Sequence, residues 1–166
     1  AAIEINDGDV QRSMVKKIVV GFNSLVTFPN GASAAIKLTN NSTGDQVACI
    51  VTPIDGDGFT HAVITFPAGA PNYGSLPNGA FTLHVMASEV VSLLSPLDGN
   101  GDGTVLPGGE DYASPSTLIF RSFGDANGDR VSNLPDFAVF RTAFNLGPST
   151  IFDMDGDGNV GLSDFG

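Results

Sequence analysis

A mostly β fold is what this sequence predicts: a two-sheet sandwich followed by a small helical appendage. Three observations carry that reading. Short segments in which apolar residues alternate with period two recur from Ile3 to about Ser95, and none of them has a helical period. Turn-forming clusters separate these segments, in a chain with 21 Gly and 10 Pro among 166 residues. Beyond Leu97 the character changes, and acidic, glycine-rich loops flank one short segment whose Phe residues are spaced as on a helix.

Ser13 to Phe22 puts Ile18, Val20 and Phe22 on one face and Lys17 and Val19 on the other. Ala34-Ala-Ile36-Lys-Leu38 alternates, as does Val47-Ala-Cys49-Ile-Val51. Thr60 to Phe66 directs Ala62, Ile64 and Phe66 inward, and Phe81, Leu83 and Val85 repeat the pattern. Pro29-Asn30-Gly31, Asn40 to Asp45, Asp55-Gly56-Asp57-Gly58 and Pro77-Asn78-Gly79 supply the turns. Strands of this length and spacing predict an immunoglobulin-like β-sandwich over residues 1–97. There is no Trp, so the Cys…Trp…Cys mark of antibody domains is missing, and the single Cys49 excludes an intramolecular disulfide. A lone Cys in a strand pattern reads as a small core residue.

Two twelve-residue loops carry the chemistry. The first is Asp125-Ala-Asn127-Gly-Asp129-Arg-Val131-Ser-Asn133-Leu-Pro-Asp136, and the second is Asp153-Met-Asp155-Gly-Asp157-Gly-Asn159-Val-Gly161-Leu-Ser-Asp164. Oxygen-bearing side chains stand at positions 1, 3 and 5, position 7 (Val131, Asn159) offers a carbonyl, and a carboxylate closes at position 12. This spacing wraps a hard cation, and six or seven oxygens at roughly 2.4 Å suit Ca²⁺ better than Mg²⁺. Neither loop contains His or Cys, which argues against zinc and copper. The loops start 28 residues apart. Acidic turns without metal are the plain alternative, and two matched loops in one short segment weigh against it.

Between the sandwich and these loops lies Asp98-Gly-Asn100-Gly-Asp102-Gly-Thr104-Val-Leu-Pro-Gly-Gly-Glu110-Asp111. Positions 1, 3, 5 and 7 match a third calcium loop, but position 12 is Gly109, so Glu110 or Asp111 would have to reach back. The alternative is a flexible acidic hinge. Asp55-Gly-Asp57-Gly has no closing ligand and reads as a hairpin turn. The expected organisation is a sandwich over 1–97, an acidic Gly-rich linker over 98–116 and a calcium module over 117–166. Within the module, Leu134 to Asn145 is the expected helix, ended by Gly147-Pro148. Phe137, Phe140 and Phe144 fall on one stripe of it, which should pack on the sandwich or on a neighbouring chain. The segment Ala1 to Ile5 could add as a strand to another subunit's sheet. The chain reaches Asp164 but ends before a second helix, and lacks a leader at Ala1-Ala2-Ile3-Glu4, so a mature product or a fragment is expected.

On these residues, Phe123 to Phe165 resembles a dockerin-type pair of calcium loop-helix repeats, EF-hand-like in its loops, with each loop followed by its helix. Phe-Gly-Asp-Ala-Asn-Gly-Asp-Arg followed by Asp-Phe-Ala-Val-Phe-Arg is similar to a variant at the C-terminal end of many secreted planctomycete-type bacterial proteins. Ile5-Asn-Asp-Gly…Gln11-Arg-Ser-Met-Val15 and Leu76-Pro-Asn-Gly-Ala-Phe-Thr-Leu83 resemble the immunoglobulin-like unit that precedes the module there. The resemblance implies a cohesin-like receptor as partner. Dockerin recognition resembles small hydroxyl pairs at loop positions 10 and 11, whereas here Leu134-Pro135 and Leu162-Ser163 occupy them, so an apolar contact is expected.

The formal net charge is −11, with eleven of 18 acidic residues from Asp98 onward. Only seven Lys and Arg are available, scattered along the chain, which argues against nucleic acid. No apolar run is long enough to span a membrane. His61 and His84 sit in strand patterns outside any metal or nucleophile motif, and no phosphate loop, dinucleotide fingerprint or Gly-x-Ser-x-Gly is present. Asn40-Asn41-Ser42-Thr43 holds overlapping glycosylation sequons, for which a turn is the simpler reading. The expected function is therefore a non-catalytic, calcium-dependent extracellular module that links or assembles proteins at a cell surface, as a filament or layer component. Dockerin-like docking is the alternative, as is an adhesive or carbohydrate-binding accessory domain of a larger enzyme. Tyr73 and Tyr112 are the only tyrosines, so the glycan reading has few aromatics to rest on.

Overall fold

The computed structural model describes residues 2–69, 71–144, 146, 149 and 151–164. Within them the chain is mostly β. One antiparallel sheet is formed by β1 (Ala2–Ile5), β2 (Lys17–Gly21), β5 (Ile50–Gly56) and β6 (Phe59–Thr65), in the order β1-β2-β6-β5. The second is built around β7 (Gly79–Val85), with β4 (Ile36–Asn40) on one side and β9 (Tyr112–Ala113) and β10 (Ile119–Arg121) on the other. A two-stranded ribbon joins β3 (Val26–Thr27) to β8 (Val91–Ser92).

Alternation decides what goes inside. Ile5, Ile18, Val20, Ala62 and Ile64 of the first sheet meet Ile36, Leu38, Phe81, Leu83, Val85 and Ile119 of the second in one core. The two inner faces packed this way make a β-sandwich. Register follows the same rule, pairing Ile18 with Ile64 and Leu38 with Leu83, so each inward residue has an inward neighbour. Val47, Cys49 and Val51 are partly buried against this core. Burial raises the Cys49 thiol above its ordinary pKa, as fits a packed side chain and not a reactive one.

The β5–β6 hairpin pairs Gly56 with Phe59, leaving Asp57-Gly58 as a two-residue loop with φ of +52° and +84°. Both are left-handed, as a primed hairpin turn requires, and Asp55 accepts the Thr60 hydroxyl at 2.6 Å. These carboxylates serve a turn.

Three expectations need correction. Ala32–Ala35 forms a helical turn (α1), and the strand starts only at Ile36, because an Ala-rich stretch favours helix until a β-branched residue intervenes. Likewise β5 begins at Ile50, although Val47 N–H still donates to Leu38 C=O at 2.8 Å. The segment expected to add to another subunit's sheet forms β1, the edge strand of its own sheet, with Ile5 opposite Ile18; Ala1 is outside the described residues. The largest correction concerns the boundaries at 97 and 117. Tyr112–Ala113 and Ile119–Arg121 both pair with β7, so the sandwich reaches Arg121 and the acidic segment 98–111 is a loop within it. Two- and three-residue strands are too short for alternation to show in sequence.

Directly after β10 comes the first acidic loop, then α2 (Leu134–Ala143), then the second loop, closed by a 3-10 turn at Leu162–Asp164. The helix thus starts where expected; Asn145, Gly147 and Pro148 lie outside the described residues. Asn133 N–H donates to Asp136 Oδ2 at 2.9 Å across the first turn of α2, the reach-back half of a capping box. No helix among the described residues is long and apolar enough to cross a membrane.

Candidate metal centre

The two loops share one hydrogen-bond scaffold, position for position. At position 1 the carboxylate of Asp125 accepts from Gly128 N–H (2.6 Å) and Arg130 N–H (2.9 Å), and that of Asp153 from Gly156 N–H (2.7 Å) and Gly158 N–H (3.1 Å). At position 3, Asn127 Oδ1 and Asp155 Oδ1 accept from the N–H of Asp129 and Asp157 at 2.9 and 3.1 Å. At position 5, Asp129 and Asp157 accept from the N–H of Val131 and Asn159 at 2.8 and 2.7 Å. At position 12, Asp136 accepts from Ala126 and Asn133, and Asp164 from Met154 and Gly161, at 2.6 to 2.9 Å. Each side chain is fixed by a backbone N–H of its own loop, so the oxygens are held before any ligand arrives.

Burial makes this arrangement costly. Asp125, Asp136, Asp153 and Asp164 are 0, 3, 7 and 1% exposed. Among the described residues the one ion pair is Lys17–Asp7, on the sandwich. Buried carboxylates carry a penalty of several kcal/mol each, only part of which backbone donors and, at Asp125, the nearby Arg12 charge offset. For Asp136, burial raises the pKa, but N–H groups of Asn133, Ala126 and Asn127 outweigh it and hold the carboxyl below the ordinary range. In the second loop, carboxylate oxygens of Asp153, Asp155 and Asp164 lie within 4.8 Å of one another.

The third loop repeats the scaffold as far as position 7. Asp98 accepts from Gly101 N–H (2.7 Å) and Gly103 N–H (3.0 Å), Asn100 Oδ1 from Asp102 N–H (2.9 Å), and Asp102 from Thr104 N–H (2.7 Å). Of the two closing candidates the geometry selects Glu110. It gathers with Asp98 and Asp102 within 4.8 Å, while Asp111 turns away and accepts Ala87 N–H at 2.7 Å. Glu110 Oε1 accepts from Asn100 Nδ2 at 3.0 Å, and its Oε2 is buried without a protein donor. Gly99 makes this closure possible, because a Cβ there would meet Glu110 C=O at 2.2 Å.

The Phe stripe takes an arrangement the sequence did not suggest. Phe140 packs edge-on against Phe152, ring centroids 5.3 Å apart, and lies 5.5 Å from Phe144. Phe152 is 2% exposed and immediately precedes Asp153, so the helix after the first loop holds the start of the second. A cavity of about 490 Å³ opens beside them, lined by Phe123, Phe137 and Met154 among others.

Sequence reasoning also missed the residues that attach the first loop to the sandwich. Arg12 N–H donates to Asp125 C=O at 2.8 Å, and Gly124 N–H to Ser13 Oγ at 2.9 Å. Arg121, buried at the end of β10, donates to Ser13 C=O (2.7 Å) and Leu76 C=O (2.9 Å); burial lowers its pKa to about 10, still charged at neutral pH. Arg130 stacks on Phe120, 4.2 Å from the ring centroid, and donates to Thr117 C=O. The one available signal was the departure of Arg130 from Gly at position 6, where the other loops carry Gly103 and Gly158.

No protein-family model matches the chain, and neither a curated protein nor a solved structure matches it. The site is therefore defined by its own chemistry. It is a set of hard oxygen donors, without nitrogen or sulfur ligands, on two scaffolded loops and a third that closes differently.

Proposed function

We propose that this chain is a non-catalytic, calcium-binding extracellular module that links or assembles proteins at a cell surface. The observation that carries the reading is the shared scaffold: two loops present buried carboxylates at positions 1 and 12, none of them ion-paired among the described residues. A divalent cation supplies the missing charge, and Ca²⁺ accepts the irregular oxygen shell such loops offer. Asp125, Asn127, Asp129, Val131 and Asp136 would hold one ion, and Asp153, Asp155, Asp157, Asn159 and Asp164 another. Asp98, Asn100, Asp102, Thr104 and Glu110 form the candidate third site. Modular sites of modest affinity fill at the millimolar calcium found outside cells.

Strand order supports an immunoglobulin-like sandwich. The first sheet reads A-B-E-D and the second C-F-G in constant-type order, with β9 and β10 sharing the last place. A first loop whose last three positions open α2, and a second loop whose last three form a 3-10 turn, support the dockerin-like reading of the module. Assembly is supported by exposed apolar side chains at matching places: Leu134 and Leu162, both at position 10, are 81 and 79% exposed. That pair favours an apolar protein surface, whether a second copy or a receptor, over a glycan.

Isothermal calorimetry on the metal-stripped full chain tests the calcium reading. At least two ions should bind, Asp125→Ala and Asp153→Ala each removing one; absence of binding overturns it. Sedimentation with calcium and with chelator tests assembly, which fails if the chain is monomeric in both.

A further inference from the structure

The first loop is joined to the sandwich by contacts that the second loop does not share. The segment between β1 and β2 runs across its base. There Arg12 N–H donates to Asp125 C=O at 2.8 Å, and Ser122 N–H donates to Arg12 C=O at 3.0 Å. Asp125 is also the position-1 ligand, so its carbonyl holds the crossover while its carboxylate organises the loop. Gly128, at position 4, lies so close to the crossover that a Cβ would meet Val10 C=O at 2.1 Å. Gly156 and Gly101 hold the same position with nearly the same φ, and a Cβ there would meet only Tyr73 Cβ at 3.9 Å and nothing within 4 Å, respectively.

Position 6 shows the same asymmetry. The second and third loops place Gly158 and Gly103 there, at φ of +90° and +81°, where glycine costs nothing. The first places Arg130 at φ +76°, a conformation an L side chain rarely adopts. The guanidinium is used: it lies over Phe120 and donates to Thr117 C=O, both in the β9–β10 edge of the second sheet. Backbone strain is thus retained inside a metal loop in exchange for an anchor to the sandwich.

From this we infer that the first loop is a calcium-controlled clasp on the β1–β2 crossover. Arg130 and Arg12 lie over the same Phe120 ring, 4.2 and 5.8 Å from its centroid, and through that ring Arg130 couples occupancy of the loop to the closure of residues 9–15, where Asn6 Nδ2, just beyond β1, donates to Met14 C=O at 2.7 Å. The second loop binds its ion without that consequence. This rests on the calcium reading, since the effector is the ion held by Asp125, Asp129 and Asp136.

Hydrogen exchange on the full chain, followed by mass spectrometry, tests it alongside calorimetry on the same samples. With calcium at a hundred times the dissociation constant, openings that release the ion become roughly 100-fold rarer. Exchange across residues 9–15, including the Arg12 amide, should slow by that order. Asp153→Asn should keep this calcium effect, and Asp125→Asn should abolish it. Arg130→Gly should keep an ion in the first loop, as its sister loops carry Gly, yet lose most of the protection of residues 9–15. Calcium bound at the first loop with no change in exchange at residues 9–15 overturns the clasp while leaving the calcium reading intact, as does full protection in Arg130→Gly. Absence of any calcium binding overturns both, and calorimetry separates the two failures.

Discussion

The first and second acidic loops are alike in what they offer a cation and unlike in what they are fastened to. Position for position they make the same backbone-to-carboxylate hydrogen bonds. Yet the first is tied by Arg130, Gly128 and the carbonyl of Asp125 to the sandwich, while the second hangs on aromatic packing between Phe152 and α2. Ligand spacing is a local property, set by twelve consecutive residues. Attachment is a tertiary property, and it decides which part of the molecule responds when an ion comes or goes.

On the calcium reading proposed above, the largest effect that sharpens this contrast is removal of the ion. A ligand at a hundred times its dissociation constant stabilises the native state by about 2.7 kcal/mol per site, so two sites lost should cost about 5 kcal/mol. Scanning calorimetry with chelator should show the sandwich transition moving as well, because the first loop is continuous with β10. Restoring calcium to Asp125→Ala should recover little of that sandwich shift, whereas Asp153→Ala should recover most of it. Equal behaviour of the two variants would erase the distinction between the loops.

Next in size is Phe152→Ala. Truncating a fully buried Phe costs about 3–5 kcal/mol, and here the loss falls on the joint between α2 and the second loop. Calcium binding at the second loop should weaken while the first is spared, a split that titration calorimetry reads directly.

A smaller effect isolates one contact. Gly128→Ala and Gly156→Ala place the same methyl at the same loop position, at φ of +78° and +75°. Both incur about 1–2 kcal/mol of left-handed strain. Only at 128 does the methyl run into Val10 C=O, and such overpacking adds about 1–3 kcal/mol. Urea denaturation should therefore rank Gly128→Ala below Gly156→Ala, and equal midpoints would show that the crossover yields without cost.

The legibility of each feature in the sequence tracks how local its cause is. Inward sets such as Ile18-Val20 and Phe81-Leu83-Val85 are visible because a pleated strand alternates by itself. The acidic loops are visible because their scaffold is closed within twelve residues. Tyr112–Ala113 and Ile119–Arg121 are not, since strands this short owe their state to β7 and not to their own pattern. Glu110, and not Asp111, gathers with Asp98 and Asp102, while Asp111 accepts Ala87 N–H, a long-range contact that no spacing rule contains. Gly128 looks like any turn glycine until Val10 is seen beside it.

The smallest expected change in stability tests the exposed leucine that each loop carries at position 10. Leu134 and Leu162 stand at position 10 of their loops, both largely exposed, so replacing either with Asp should alter folding by no more than about 0.5 kcal/mol. Their cost would be paid elsewhere, in association. An added carboxylate beside a candidate calcium loop leaves the ligands untouched, but it disfavours burial against an apolar partner by the penalty of an unpaired charge. If calcium-dependent assembly uses both loops as one surface, each single variant should weaken sedimentation-detected association and the double variant should abolish it. If assembly uses only the second loop, Leu162→Asp should act alone and Leu134→Asp should sediment like the parent. That second pattern would carry the difference between the loops from their attachment to their partners. Association unchanged in both variants would move the contact away from the metal loops altogether, to the exposed face of β5 where Ile50 and Ile54 stand half uncovered.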